Sequence, residues 1–364
     1  MKSIAILTHI DFWRGDGGHK SRITSLAQYL GNHSNLVVVY AGSAKPGDKT
    51  LVERKRFSFR TIFLSTHAQL NKADYVRRFR QFVQETHVDV CIIEYLQLAF
   101  VIDFLPRHIK FILDTHDLMS DRARSFKSFG CEHDTVSWAD ELAIFKKFDG
   151  VMLIQDKEYQ KVRDALGPDK TILVPHGVDF PRQTVRRNVQ NVGFIGNYYT
   201  PNEVGLRWFL KEVWPRVRKG GIQLNIYGKI WQAFAGLDIE KVRFHGFVPN
   251  LQRIFSEIDI MINPVQMGAG LKIKNVEAMA NGLPLITTTH SATGLMRAKG
   301  KGFLIADDAK NFAFTLNRLI VDFDHRSRLG RFAHCFIQDY FSQEACFKEL
   351  LQFIYSKDVV LSNN

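Results

Sequence analysis

Short, near-continuous apolar runs rich in β-branched residues alternate along the chain with segments whose apolar positions recur every three or four residues. The first pattern suits strands of a parallel sheet buried on both faces, and the second suits the helices that cover it. SIAILTH (3–9) predicts the first strand, and HKSRITSLAQYL (19–30) predicts a helix with Ile23, Leu26, Ala27 and Leu30 on one face. LVVVYAG (36–42), VDVCIIEY (88–95), IKFILDTH (109–116) and GVMLIQ (150–155) continue the strands. The period stops at PHGVDFPRQTVRRN (175–188), where two prolines, a glycine and three arginines predict a linker.

The alternation then restarts with NVGFIGN (191–197), LRWFLKEVWPRV (206–217), IQLNIYG (222–228), VRFHGFV (242–248), LQRIFSEI (251–258), DIMINPV (259–265), KIKNVEAMA (272–280) and LPLITTT (283–289). A helix follows over 308–322, and FSQEACFKELLQFIYSKD (341–358) carries Cys346, Leu350, Phe353 and Ile354 on one side of a closing amphipathic helix. The expectation is two doubly wound α/β domains, 1–180 and 190–340, followed by a closing helix and tail over 341–364. The ligand site then falls in the cleft between them, outside the carboxyl ends of the strands.

Composition narrows the partners. A length of 364 residues with 45% hydrophobic positions fits two domains, and a net charge of +12 favours anions such as phosphates or an acidic membrane surface. Cys91, Cys131, Cys335 and Cys346 stand far apart, so neither a disulfide framework nor a zinc site is expected, and a reducing cytosol fits. The N-terminus reads as a strand and not as a signal peptide. No apolar run approaches the roughly 20 residues needed to span a bilayer, so any membrane contact is expected to be peripheral.

Three stretches carry candidate chemistry. In NPVQMGAGLKIKNVEAMANGLP (263–284) a strand ends in a glycine turn that opens a helix with Lys272, Lys274 and Glu277. Free N–H groups near Gly270, Leu271 and Lys272 make an anion site, and an ammonium about 4 Å from a phosphate oxygen adds on the order of 4 kcal/mol. Lys272 and Lys274 point to different sides of that helix, so at most one is expected along the ligand with the other reaching from the rim, while Glu277 shares the side of Lys274 and suits a sugar diol. In GDGGHKSR (15–22), Gly17 and Gly18 let the backbone of the first helix approach a ligand. A dinucleotide fingerprint is a poor reading, because Lys20 stands where its third glycine belongs and no acid follows the second strand. At the end of the IKFIL strand, Asp114, His116 and Asp117 sit at the cleft rim, with His116 favoured for an active-site role. Taken singly, each stretch also reads as an ordinary turn or a solvated helix end.

Together they resemble glycosyltransferase family 4. The similarity lies in NPVQMGAGLKIKNVEAMANGLPLITTTHSATGL (263–295), VGFIGNYYTPNEVGLRWFLKEVWPRV (192–217), PHGVD (175–179) and DTHDLMSDR (114–122). The resemblance implies a GT-B fold, two Rossmann-like domains facing a central cleft, and retaining transfer of a sugar from a nucleoside-diphosphate sugar. It implies that Glu277 holds the ribose, and that the turn at Gly270 and Leu271 with Lys272 or Lys274 binds the diphosphate. Gly17, Gly18, Gly196 and Asn197 are expected on the donor, His116 near the donor sugar, and Asp114, Asp117, Asn202 and Val248 along the cleft. Members often carry a second glutamate eight residues before the ribose glutamate; here Ala269 takes that place.

No cofactor and no metal are expected. DFD (322–324) reads as a solvated helix terminus, and His9, His19 and His67 lack metal-cage spacing. The acceptor is expected to be a glycan or lipid-linked hydroxyl in bacterial surface polysaccharide or glycoconjugate assembly. Residues 53–80 gather Arg54, Lys55, Arg56, Arg60, Lys72, Arg77, Arg78 and Arg80 around aromatic side chains, so they read either as a contact with the inner face of an anionic membrane or as a solvated face. No nucleic-acid module is present. The alternatives are a nucleotide-sugar epimerase of the same fold, or a non-catalytic subunit binding a nucleotide sugar or a membrane surface.

Overall fold

The computed structural model describes residues 1–64, 71–134, 136–218 and 220–356. His67 and part of the 53–80 stretch lie outside the described residues, as does the end of the tail. The described strands form two sheets in which every pairing is parallel. The first contains β1 (Ser3–Thr8), β2 (Asn35–Tyr40), β3 (Arg60–Phe63), β4 (Val90–Glu94), β5 (Lys110–Asp114), β6 (Gly150–Leu153) and β7 (Thr171–Leu173), in the order β3-β2-β1-β4-β5-β6-β7. The second contains β8 (Asn191–Ile195), β9 (Gln223–Tyr227), β10 (Val242–Gly246), β11 (Ile260–Asn263), β12 (Leu285–Thr287) and β13 (Leu304–Ile305), in the order β10-β9-β8-β11-β12-β13.

Central strands are apolar and sealed on both faces: Ile4 to Leu7, Val90 to Ile93 and Ile260 to Ile262 are all buried. The winding direction reverses at β1 and again at β8. A crevice therefore opens at the carboxyl ends of β1 and β4, and another at those of β8 and β11. One buried apolar cluster continues from the first sheet through helices Gly18–His33, Gln343–Tyr355, Ile273–Ala280 and Phe323–Phe341 to the second sheet.

Several elements differ from the sequence reading. The helix expected over 206–217 begins earlier, at Thr200, and after Trp208 loosens into a wider π turn (Phe209–Val213) and a 3₁₀ turn (Trp214–Arg216). Pro215 has no N–H to extend an α ladder there. The 19-residue helix Phe323–Phe341 was not anticipated as such, because charged residues break its apolar stripe; Arg326 is nevertheless buried and donates to the carbonyls of Ile320 and Arg187. Asp322 accepts from the His325 N–H at the start of this helix, the terminus expected for DFD. On the closing helix Phe347 joins Cys346, Leu350 and Ile354 in the core while Phe353 is half-buried. The helix returns to the first sheet, where Glu344 accepts from Tyr29 at 2.8 Å and Gln343 donates to Ser25 at 3.1 Å.

Candidate active site

The loops after β1, β5, β8 and β11 meet in a cavity of 540 Å³ between the two sheets. Its lining includes Gly17, Gly18, His116, Asp117, Gly196, Asn197, Asn202, Val248, Gly270, Leu271, Lys272, Lys274 and Glu277, so residues far apart in the chain converge on one volume. Asp114 is the exception and corrects the expected cleft set. It lies buried beneath the cavity with both oxygens accepting from Arg22, each at 2.9 Å.

The helix Ile273–Ala280 brings three of these groups together. Lys272 is its N-cap, and both lysines line the cavity. The Lys272 ammonium folds back onto the Ala269 carbonyl at 2.9 Å. The Lys274 ammonium donates to Asn202 Oδ1 at 2.7 Å and lies 4.4 Å from the centre of the Phe194 ring. Burial pulls Lys272 down to about 8 and Lys274 to about 7, with Lys272 further lowering Lys274. Burial pushes Glu277 up to about 7 against a side-chain hydrogen bond with Ser21 and the charge of Lys274. His176, from the linker, places Nε2 3.9 Å from the Glu277 carboxylate.

Of the N–H groups near Gly270, Leu271 and Lys272 that the sequence suggests are free, that of Gly270 is already taken. Gly270 N–H donates to Glu158 Oε1 at 2.9 Å, and Gly268 N–H donates to Ser125 Oγ at 2.9 Å, so helices Asp156–Leu166 and Met119–Ser128, on the side of the first sheet, hold the turn. Gly270 has φ +69°, and a Cβ there would stand 2.9 Å from the His116 carbonyl and from Asp117 Cβ. Only glycine combines that backbone conformation with so close an approach. Across the cavity, a Cβ on Gly18 would stand 3.1 Å from Ile273 Cβ, so the starts of the two helices pack directly against one another. Asp16 joins the two sides: its carboxylate accepts from Lys229 at 2.5 Å, and its carbonyl accepts from Asn197. Lys20 and Lys229 hold the Asp16 carboxyl down at about 2 against the opposing effect of burial.

His116 adopts φ +57° and stacks on Tyr95, with ring centres 4.0 Å apart and planes 7° from parallel. Its Nε2 lies 2.5 Å from Glu94 Oε2 and 3.9 Å from Asp114. Asp117 accepts from Arg122 Nε at 2.9 Å. Among the described residues, Glu94, Asp114 and His116 form a cluster with ligand-type atoms within 4.8 Å. The Arg22 guanidinium occupies both oxygens of Asp114 and opposes a cation there.

Sequence reasoning missed Ser21, Tyr95, Arg122, Glu158 and His176. Ser21 and Arg122 lay inside quoted stretches, and an i,i+4 reading from Gly17 would have put Ser21 on the cavity face. Tyr95 ends an ordinary apolar strand, and nothing in its neighbours signals its positive φ. Glu158 reaches the site through tertiary contacts alone, whereas His176 lies inside PHGVD (175–179), and that resemblance was the signal that could have found it.

The arrangement pairs ammonium groups suited to an anion with a carboxylate suited to hydroxyls, and a histidine faces them from the other sheet. Residues 189–322 match the family model described as Glycosyl transferases group 1. A Klebsiella pneumoniae protein described as an uncharacterized 44.6 kDa protein in the cps region is 28% identical over 225 residues, covering 57% of each chain. The chain thus spans about half the length of the curated relatives it matches. Among solved structures, TarM superposes with a TM-score of 0.77 at 11% identity, covering 98% of this chain and 99% of TarM. HepE of Anabaena, solved with UDP-glucose, gives a TM-score of 0.74 at 15% identity, covering 98% and 100%. The fold is therefore GT-B, two parallel α/β sheets facing a cleft, and with the matched segment it supports a glycosyltransferase.

Proposed function

We propose that this chain is a retaining glycosyltransferase that moves a sugar from a nucleoside diphosphate to a hydroxyl of a glycan or lipid-linked acceptor. The observation that carries the reading is the convergence of Lys272, Lys274 and Glu277 with His116 and the Gly17–Gly18 turn on one interdomain cavity. Lys272 and Lys274 neutralise charge gathering on the departing diphosphate, and Glu277 accepts hydrogen bonds from the ribose. His116 stands on the donor-sugar side. The two ammonium groups provide the electrostatic stabilisation that the leaving group requires, so the reading includes no resident metal. Closure of the cleft around the substrates would exclude water and favour attack by the acceptor over hydrolysis. Retention of configuration rests on the family 4 resemblance.

The test is release of nucleoside diphosphate from a panel of donors, UDP-glucose first because HepE was solved with it, with a lipid or glycan extract as acceptor and with chelator present. Acceptor-dependent release is expected. Release without acceptor and with a changed sugar would mark an epimerase, and binding without release a non-catalytic subunit. Glu277→Ala is expected to weaken nucleoside diphosphate binding about 10- to 100-fold, the loss of one or two charge-assisted hydrogen bonds, and calorimetry measures it.

The acceptor belongs to surface polysaccharide or glycoconjugate assembly in this reading, supported by the similar Klebsiella pneumoniae protein in the cps region. The same reading places the protein on the cytoplasmic side of the membrane, in peripheral contact with anionic lipid. No helix among the described residues is long and apolar enough to cross a bilayer. The helix Lys72–Glu85 exposes Lys72, Arg77, Arg78 and Arg80 beside the exposed Phe104, and the Lys72 ammonium lies 5.2 Å from the centre of the Phe100 ring. Each basic residue near such a surface contributes about 1 kcal/mol. Co-sedimentation with phosphatidylglycerol-containing vesicles, and not with pure phosphatidylcholine, is expected, and Arg77→Glu combined with Arg80→Glu should abolish it. Equal sedimentation of both proteins would return this helix to a solvated face.

A further inference from the structure

The groups around His116 pair off in charge until one carboxyl and one imidazole are left, Glu94 and His116. Arg22 and Asp114 form a buried bidentate pair and cancel. Asp117 and Arg122 form a second pair and also cancel. His9, His19 and His176 face the same region, and burial holds each below the ordinary histidine range, His19 at about 4 and His176 at about 3. None of them offers a second cation at neutral pH. Glu94 and His116 remain, in contact at 2.5 Å and both buried.

These two share one proton, and they are either an ion pair or a neutral pair. Separating charge inside the fold costs several kcal/mol unless other groups solvate it. Glu94 Oε1 has no hydrogen-bond partner among the described residues, and the Asp114 carboxylate nearby repels a second negative charge. Burial and Asp114 push Glu94 well above the carboxylate range, whereas burial pulls His116 down to about 4. The neutral pair is favoured. Glu94 then donates its O–H to Nε2, and the ring proton resides on Nδ1.

We propose that Glu94 is a positioning residue that fixes His116 in the Nδ1–H tautomer, so that the ring presents a neutral hydrogen-bond donor to an oxygen of the bound sugar. Nε2 points inward to Glu94, leaving Nδ1 as the ring nitrogen on the side of the cavity that His116 lines. Stacking on Tyr95 and the left-handed backbone keep the ring in place. A neutral donor polarises a sugar oxygen without placing a cation beside the developing oxocarbenium ion. The inference rests on the glycosyltransferase reading for its consequence in catalysis, but the tautomer itself is independent of that reading.

Long-range proton–nitrogen NMR on protein labelled with [15N]histidine tests it at pH 7. The wild type is expected to show His116, assigned by loss of its signal in His116→Ala, as neutral with Nδ1 protonated. Glu94→Gln should preserve that pattern because its amide also donates to Nε2, and Glu94→Leu should lose it. In the transfer assay Glu94→Leu is expected to lower kcat about 10- to 100-fold with donor KM changed less than about threefold. Glu94→Gln should recover kcat at least about tenfold above the leucine variant. An imidazolium, or an Nε2–H tautomer, in the wild type overturns the proposal even if Glu94→Leu fails to fold. A folded leucine variant with the wild-type tautomer or kcat overturns it as well. If no transfer is found for the wild type, the function reading fails while the NMR result still decides the tautomer.

Discussion

Lys274→Ala is expected to lower turnover about 10²- to 10³-fold, an effect of roughly 3–4 kcal/mol on the transition state. Its ammonium is held close to the cavity by Asn202 and the Phe194 ring, with no carboxylate among the described residues as a direct partner, so it is available to an incoming diphosphate. A unit charge 4 Å away at an effective dielectric near 20 supplies about 4 kcal/mol, the right size for this loss. Lys272 is expected to contribute a similar amount, but part of its effect is structural because it ties down the Ala269 carbonyl. The same burial that aims the lysines lowers Lys272 to about 8 and Lys274 to about 7. A bound diphosphate raises both, so binding takes up protons, and donor kcat/KM should fall as pH rises through 7 to 8. Steady-state kinetics across that range, with both alanine variants, provide the measurement. Turnover within about threefold of wild type in both variants would remove the lysines from the mechanism.

Arg22→Met is expected to destabilise the protein by about 3–5 kcal/mol, because it strands the Asp114 carboxylate in an interior without water. Arg22 and Asp114 are both fully buried, and Arg22 also donates to the Pro175 carbonyl at 3.0 Å, so one side chain ties the first helix to β5 and to the linker. Removing both charges together, in Arg22→Met with Asp114→Leu, should return much of the loss, since the penalty arises from the unpaired charge. Urea unfolding followed by circular dichroism distinguishes the two. If the single variant shifts the midpoint no further than the double, the pair is not the strut described here.

How much was legible depends on whether a feature is periodic or convergent. Ile4 to Leu7 and Val90 to Ile93 are runs with nothing polar to expose, so their place inside a parallel sheet follows from composition alone. β7 and β13 were not anticipated because they are short edge strands, neither buried throughout, whereas the equally short β12 lies within the apolar run LPLITTT. Lys272, Lys274 and Glu277 were legible because they occupy one turn-and-helix segment of eight or so residues. Asp114 was misplaced for a related reason. A strand terminus puts a residue at the cleft, but whether its side chain faces the ligand or a buried partner depends on Arg22, which lies 92 residues away.

The sequence by itself determined the alternation of strand and helix, the break at 175–188, and the grouping of Lys272, Lys274 and Glu277 on the segment 263–284. Each of these depends on neighbours along the chain, through the strand and helix periods and the conformational freedom of glycine. Only the tertiary structure decided that Glu158 and Ser125 hold the glycine turn from the side of the first sheet, that Asp16 bridges to Lys229 and Asn197, and that Glu94 lies under His116. The closing helix returning to the first sheet is of the same kind. These contacts join residues separated by 22 to more than 300 positions, and hydrogen-bond geometry and burial at such distances leave no trace in local pattern. The charge each buried group carries follows from those contacts.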